Sequence, residues 1–127
     1  MPSATAIQPS ATLGVFGGGQ LGRMFAMAGA RMGYRIVVFA PETDPPAAQV
    51  AHQHIQAQYD DRQALARFVQ CCDAITLEFE NVPESALAYA AQYTAVRPGP
   101  DVLAIAQDRL KERAFLDHHA LPAAAHQ

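Results

Sequence analysis

The sequence lacks the features that mark membrane proteins and nucleic-acid-binding proteins. No apolar run approaches the roughly 20 residues that a membrane-spanning helix needs, and the start has neither the basic flank nor the apolar block of a signal peptide. There is no basic excess either, because 9 Lys and Arg face 12 Asp and Glu and the formal net charge is −3. We therefore expect a cytoplasmic protein with a small-molecule partner, rather than a nucleic acid or a membrane.

Side chains suited to metals and disulfides are also few. The only two cysteines, Cys71 and Cys72, are adjacent, which suits neither a disulfide staple nor tetrahedral chelation of one ion. Four of the five histidines form two close pairs without a third or fourth ligand at a fixed spacing: His52 with His54, and His118 with His119. We therefore predict no metal site in this chain.

What the sequence does contain is a regular alternation of strand and helix patterns in one folded domain, with residues 1–11 as a flexible leader and residues 12–121 as the domain. The predicted strands are 12–16, 35–40, 54–57, 73–77 and 93–96, and the predicted helices are 21–32, 47–52, 62–70, 84–92, 102–106 and 109–118. This alternation is typical of right-handed βαβ units. The predicted fold class is α/β, a Rossmann-like open parallel sheet with helices on both faces.

A glycine-rich turn, residues 17–22 (GGGQLG), lies between the first predicted strand and the first predicted helix. Gly17 permits a tight turn, Gly19 lets a ligand approach the backbone, and Gly22 lets the helix pack on the strand. Free N–H groups at the helix start then offer an anion site. A phosphate or a phosphorylated sugar is the expected guest.

One interpretation of this turn is an ordinary dinucleotide site. Such a site needs an acidic residue at the end of the second strand to bind the adenosine ribose. Glu42 lies 20 residues after Gly22, but it follows Pro41 in a turn instead of ending the strand. An NAD(P)-binding Rossmann module of an oxidoreductase therefore remains the alternative, and a turn that serves packing alone is a further one.

Four segments in this order and at these spacings point to a particular family: GGGQLGRMFAMAGARMGYRIVVF, ITLEFENVP, VRPGP and IAQDRLKERAFL. They resemble the N5-carboxyaminoimidazole ribonucleotide synthases, which are ATP-grasp ligases of purine biosynthesis, over residues 11–121. The resemblance is confined to the amino-terminal, pre-ATP-grasp domain of that family. It implies carboxylation of aminoimidazole ribonucleotide with bicarbonate and ATP, release of ADP and phosphate, and a homodimeric full-length enzyme.

By this resemblance, the substrate-binding residues are Gly18, Gly19, Gln20, Leu21 and Glu78. Gln20 has donor and acceptor groups, and Glu78 offers an acceptor for ribose hydroxyls or for the amine. Because the carboxyl ends of neighbouring parallel strands share one edge of a sheet, we expect both residues at that edge. A solvated turn acid is the alternative for Glu78.

Three more residues in these segments are candidates for a role. Glu80 would share a side with Glu78 if the segment stays extended, and Asn81 is interpreted as the cap of the following helix. Arg109 matches an ATP contact of the family, whereas the alternative is a surface arginine paired with an acid of its own helix.

The resemblance implies ATP and Mg²⁺ as cofactors, but it places their main binding groups in an ATP-grasp domain that this sequence does not contain. Residues 122–127 are expected to begin the linker to that domain. Without its lysines, lid and carboxylates, nothing stabilises the charge on a transferring phosphoryl group. We therefore predict no catalytic residue in this chain and no activity of the chain alone.

Overall fold

Five short parallel strands form a single sheet in the computed structural model, which describes residues 5–125. The strands are β1 Thr12–Phe16, β2 Arg35–Ala40, β3 Gln53–Gln56, β4 Ala74–Leu77 and β5 Ala95–Val96. The helices are α1 Gln20–Arg31, α2 Arg62–Cys71, α3 Glu84–Ala91, α4 Pro100–Ala106 and α5 Arg109–His118. The strand order β3-β2-β1-β4-β5 is that of doubly wound α/β domains, which confirms the predicted class.

The centre of the sheet is apolar on both faces because helices cover both sides. All of β2 after Arg35 is buried, as expected for a continuous apolar run in a parallel sheet. The register pairs Phe16 with Phe39 on one side and with Leu77 on the other. The carboxyl ends of β1, β2 and β4 therefore lie level with one another at one edge.

Two apolar cores lie on opposite faces of the sheet. The larger core packs against α2, α3 and α4 and contains the rings of Phe16, Phe39 and Phe68, whose centroids are 4.9 to 5.5 Å apart. The smaller core lies under α1 and includes Val15 and Ala47. The prediction of helices on both faces is confirmed.

The helix predicted over residues 47–52 is wrong, since this segment consists of turns. Its start is fixed by a hydrogen bond from the Ala47 N–H to the Gly18 carbonyl at 2.8 Å. Its end is fixed by a bond from the His52 N–H to the Ile36 carbonyl at 2.9 Å, which leads directly into β3. The span between these two anchors is too short and too constrained for a regular helix.

Residues 7–10 of the predicted leader contact the turn between α1 and β2. The Tyr34 hydroxyl donates to the Ile7 carbonyl and the Ser10 N–H to the Gly33 carbonyl, both at 2.8 Å. Residues 1–4 of the leader and 126–127 of the predicted linker lie outside the described residues. The mobility of the leader and the domain bounds remain predictions.

Over the described residues, no helix combines the length and the apolar character needed to cross a membrane.

Candidate functional site

The candidate site lies at the carboxyl edge of the sheet, between β1 and β4. These strands are neighbours in the sheet but not in the chain, so the connections that follow them diverge to opposite faces. The glycine turn, residues 17–22, follows β1, and residues 78–83, which we call the acidic loop, follow β4. In doubly wound sheets such a point opens a crevice for a ligand.

The carboxylate of Glu78 joins the acidic loop to the glycine turn. Its Oε1 accepts a hydrogen bond from the Gly19 N–H at 2.7 Å, and its Oε2 accepts one from the Gly22 N–H at 2.6 Å. The negative charge stands at the amino end of α1, where the helix dipole and unpaired N–H groups favour an anion. The sequence analysis expected free N–H groups here for a ligand anion. At Gly19 and Gly22 this expectation is wrong, because both N–H groups bind the carboxylate of Glu78.

Gly17 and Gly19 of the turn are required by the closeness of Glu78. Gly17 has a φ of +101°, and a Cβ added there would collide with Glu78 Cγ. A Cβ added to Gly19 would stand 2.8 Å from Glu78 Oε1. The close approach that the sequence pattern indicates is thus made by a side chain of the same chain.

The crevice between β1 and β2, where a dinucleotide would place its adenosine, is closed. A Cβ on Gly18 would lie 2.6 Å from Pro45 Cγ, so the segment after β2 packs directly on the turn. Glu42 is exposed in that segment and does not end the strand. Because the Glu78 carboxylate also stands where a pyrophosphate would bind, the geometry disfavours the NAD(P) alternative.

A groove of about 270 Å³ lies between the acidic loop and α4. Glu78 and Glu80 line it on one side, and Pro98, Val102 and Leu103 line it on the other. It therefore combines carboxylate acceptors with an apolar wall, which suits a ligand that has hydroxyl or amine donors and a flat ring.

The first turn of α1 borders the same edge. Gln20 and Leu21 are exposed, and the Leu21 side chain keeps 62% of its surface accessible. In the part of the chain that the structure describes, neither their N–H groups nor the Gln20 amide has a hydrogen-bond partner. The structure thus places Gln20 and Leu21 between the two glycines that Glu78 binds, with polar groups available.

Arg109 lies apart from this contact, at the first residue of α5. Its Nη1 donates to Glu112 Oε2 at 2.7 Å, which is the pairing named as the alternative for this residue. Asp108 caps the helix by accepting from the Leu110 and Lys111 N–H groups at 2.9 and 3.2 Å. A contact of Arg109 with ATP remains a prediction.

Asn81 does not cap α3, so that prediction is wrong. Pro83 occupies the cap position without a side-chain hydrogen bond, and Asn81 is exposed in a turn two residues earlier. The acidic loop turns at Glu80 and Asn81, and α3 begins at Glu84, which is the start that the sequence pattern predicted.

Tyr59 is a residue of this edge that the sequence analysis missed. Its ring stacks on Phe39, with centroids 5.9 Å apart, and meets Phe16 edge-on at 6.1 Å. Burial raises the pKa of Tyr59 to about 12, and the negative charges of Glu42 and Glu78 contribute to the rise. The hydroxyl therefore stays protonated as a donor; its only sequence signal was an aromatic residue just after an edge strand.

We expect Tyr59 to ionise near pH 12 instead of its ordinary value of 10. The unfolded chain loses this proton at a lower pH than the folded chain. The contribution of protonated Tyr59 to the free energy of unfolding is therefore complete below pH 10 and is lost as the pH rises through 12. A spectrophotometric titration of phenolate formation measures this, and Tyr59→Phe should remove the late step. The exposed Tyr93 provides the control variant Tyr93→Phe, which should leave the late step in place. If Tyr59→Phe removes a step near pH 10 instead, the assignment fails.

The strand order defines the class of this chain, a doubly wound α/β domain. Its glycine turn and acidic loop lie at the edge where domains of this class bind their ligands. A family model described as the ribonucleotide synthetase preATP-grasp domain matches residues 10–107. The chain belongs to this family.

Relatives of known name agree with this assignment. The N5-carboxyaminoimidazole ribonucleotide synthase of Brucella melitensis is 48% identical over 120 residues, which cover 94% of this chain and 33% of the relative. An ADP complex of an N5-carboxyaminoimidazole ribonucleotide synthetase superposes with a TM-score of 0.91 at 37% identity, covering 97% of this chain and 33% of that one. The chain thus spans about a third of the length of the relatives it matches.

A third relative has a ribonucleotide bound. The Aspergillus clavatus N5-carboxyaminoimidazole synthase, in complex with ADP and 5-aminoimidazole ribonucleotide, has a TM-score of 0.81 at 28% identity. The match covers 91% of this chain and 31% of that one. The comparisons lend no support to the oxidoreductase alternative.

Proposed function

We propose that this chain is the ribonucleotide-binding amino-terminal domain of an N5-carboxyaminoimidazole ribonucleotide synthase. The full-length enzyme would convert aminoimidazole ribonucleotide, bicarbonate and ATP to N5-carboxyaminoimidazole ribonucleotide, ADP and phosphate in purine biosynthesis. The observation that carries the proposal is the position of Glu78, which lies against the glycine turn and lines the groove beside α4. The Aspergillus relative, bound to 5-aminoimidazole ribonucleotide, supports the choice of ligand.

Glu78 is suited to bind neutral donors of the substrate. Each carboxylate oxygen uses one acceptor position on a backbone N–H and keeps another for a ligand. Its charge repels a phosphate, so ribose hydroxyls or the exocyclic amine should face it. The N–H groups of Gln20 and Leu21 then face a ligand oxygen, while Gly18 and Gly19 keep the turn free of side chains.

The described residues supply little of the nucleotide and metal site. Among the described residues, the Arg109 guanidinium bonds only Glu112, through Nη1, so its other nitrogens can donate to a phosphate of ATP. Within residues 5–125, no three His, Cys, Asp or Glu side chains form a group that fits a metal ion. We therefore assign Mg²⁺ and most of the ATP contacts to the part of the family that this chain does not cover. We also propose that the full-length enzyme is a cytoplasmic homodimer, as the family resemblance implies.

We expect the 127-residue chain to bind aminoimidazole ribonucleotide saturably and NADH not at all. Amide shifts followed by NMR during the two titrations measure this, and the shifts should concentrate on the glycine turn and the acidic loop. Ribose 5-phosphate serves as a control for the contribution of the base. Saturable NADH binding without a response to the ribonucleotide would overturn the proposal.

The same chain should show no ATP turnover in the presence of bicarbonate and the ribonucleotide. The described residues include no group of side chains that could hold a metal ion, and they offer one candidate donor to a phosphate of ATP, Arg109. One arginine is too little to stabilise the charge on a transferring phosphoryl group. A coupled assay for ADP release measures this. Turnover above the level of a heat-treated sample would contradict the division of roles between the domains.

A further inference from the structure

We propose that Gln107 is a positioning residue, which holds the acidic loop where Glu78 can serve the ribonucleotide and ties that loop to the start of α5. The part that concerns ligand binding rests on the proposed function. The part that concerns the loop rests on hydrogen bonds alone.

Gln107 binds the acidic loop at two points. Its Nε2 donates to the carbonyl of Glu80 and to the carbonyl of Val82, both at 2.6 Å. A primary amide nitrogen has two hydrogens, so one side chain satisfies both carbonyls. Because the two acceptors lie on either side of Asn81, the pair of bonds fixes the turn of the loop as well as its distance from α4.

Within the described residues, the middle of the acidic loop has no other backbone tether. Its first residue is held by the Glu78 N–H, which donates to the Phe16 carbonyl at 3.0 Å, and its last by the Pro83 carbonyl, which accepts from Ala86 at 3.0 Å. Between them, the backbone of residues 79–82 makes no hydrogen bond within the described chain except those to Gln107. Val82 is fully buried, but apolar packing alone does not fix the direction of a carbonyl.

The position of Gln107 in the chain links this loop to the next helix. Gln107 is the C-cap of α4, the following residue Asp108 caps α5, and α5 begins at Arg109. Three consecutive residues therefore have linked roles: Gln107 holds the acidic loop, Asp108 caps α5, and Arg109 is the candidate phosphate donor. A shift of the loop that moves Glu78 is thus transmitted to the start of α5.

Gln92 provides a matched control for this role. It is also the C-cap of its helix, α3, with nearly the same backbone angles as Gln107. Its Nε2 donates to the Ala88 carbonyl of its own helix at 3.3 Å and is not bonded to the acidic loop. A role of glutamine in helix capping alone would make the two positions equivalent.

The test compares Gln107→Met and Gln92→Met, since Met keeps the length of the side chain and removes its donors. The amide signals of Gly19 and Gly22 report on Glu78, because both N–H groups donate to its carboxylate. In Gln107→Met these two signals should shift or broaden, and the affinity for aminoimidazole ribonucleotide should fall about fivefold. Gln92→Met should change neither, and Gln107→Ala repeats the test if the first variant folds poorly.

The outcomes separate the two proposals. Unchanged Gly19 and Gly22 signals in a folded Gln107→Met variant would overturn the positioning role, as would equal effects of the Gln92 and Gln107 substitutions. If the unaltered chain gives no response to the ribonucleotide, the proposed function fails, and the two amide signals still decide the role of Gln107.

Discussion

Replacing Glu78 with Gln should lower the free energy of unfolding by about 2 to 3 kcal/mol, the range expected when charge-assisted hydrogen bonds are lost. The glutamine amide has one oxygen for two N–H donors, so either Gly19 or Gly22 would face an NH₂ group and remain unpaired. The favourable interaction of the carboxylate with the α1 dipole is lost as well. Urea unfolding followed by circular dichroism measures the change.

Glu80→Gln is the matched control, because Glu80 lies two residues further along the same loop, is exposed, and makes no hydrogen bond through its carboxylate in the described residues. Its free energy of unfolding should stay within about 0.5 kcal/mol of the unaltered chain. In ribonucleotide titrations Glu78→Gln should weaken the response more than Glu80→Gln, because only the Glu78 carboxylate is held against the glycine turn. Equal stability of the two variants would show that the Glu78 bonds do not hold the loops together.

The sequence predicted the central part of the fold well because its signals are local and periodic. The apolar run of β2 and the helical spacing of apolar residues in α1 predicted the bounds of these two elements to within one residue. The open parallel sheet followed from the alternation of strands and helices. The edge elements were less certain, since β5 has only two residues and its neighbouring turn takes up the rest of the predicted strand.

The candidate site was predictable in its parts but not in its contacts. The rule that parallel strands end at one edge correctly brought the glycine turn and Glu78 together. It did not show that Glu78 itself would occupy the N–H groups, because this depends on the path of an irregular loop. Gln107 lies more than 20 residues from the carbonyls it binds, so no local pattern revealed it.

Gly17→Ala should destabilise the fold even more than Glu78→Gln, with a loss of about 3 to 5 kcal/mol. Two costs add at this position. A φ of +101° strains any residue with a Cβ, and that Cβ would collide with Glu78 Cγ and stand 2.8 Å from its Oε1. Since small domains have a total stability of about 5 to 15 kcal/mol, this loss removes a large share of it, and urea titration should show a much lower midpoint of unfolding.

Two other glycines separate these costs. Gly33 has a φ of +89°, but the nearest atom to an added Cβ is Pro9 Cβ at 3.3 Å, so Gly33→Ala should cost about 1 to 2 kcal/mol through backbone strain. Gly99 has an ordinary φ of −77° and nothing within 4 Å, so Gly99→Ala should cost about 0.5 kcal/mol as an altered helix cap.

A double variant tests whether the additional cost at Gly17 comes from Glu78. If the collision is with that side chain, Gly17→Ala combined with Glu78→Ala should lose less stability than the sum of the two single changes, by about 1 kcal/mol or more. Additive losses would mean that backbone strain, or Phe79 at 2.9 Å from the added Cβ, accounts for the effect. If the losses are less than additive, Gly17 is required because the Glu78 side chain occupies the position of a Cβ. The glycine turn and the acidic loop then stabilise each other.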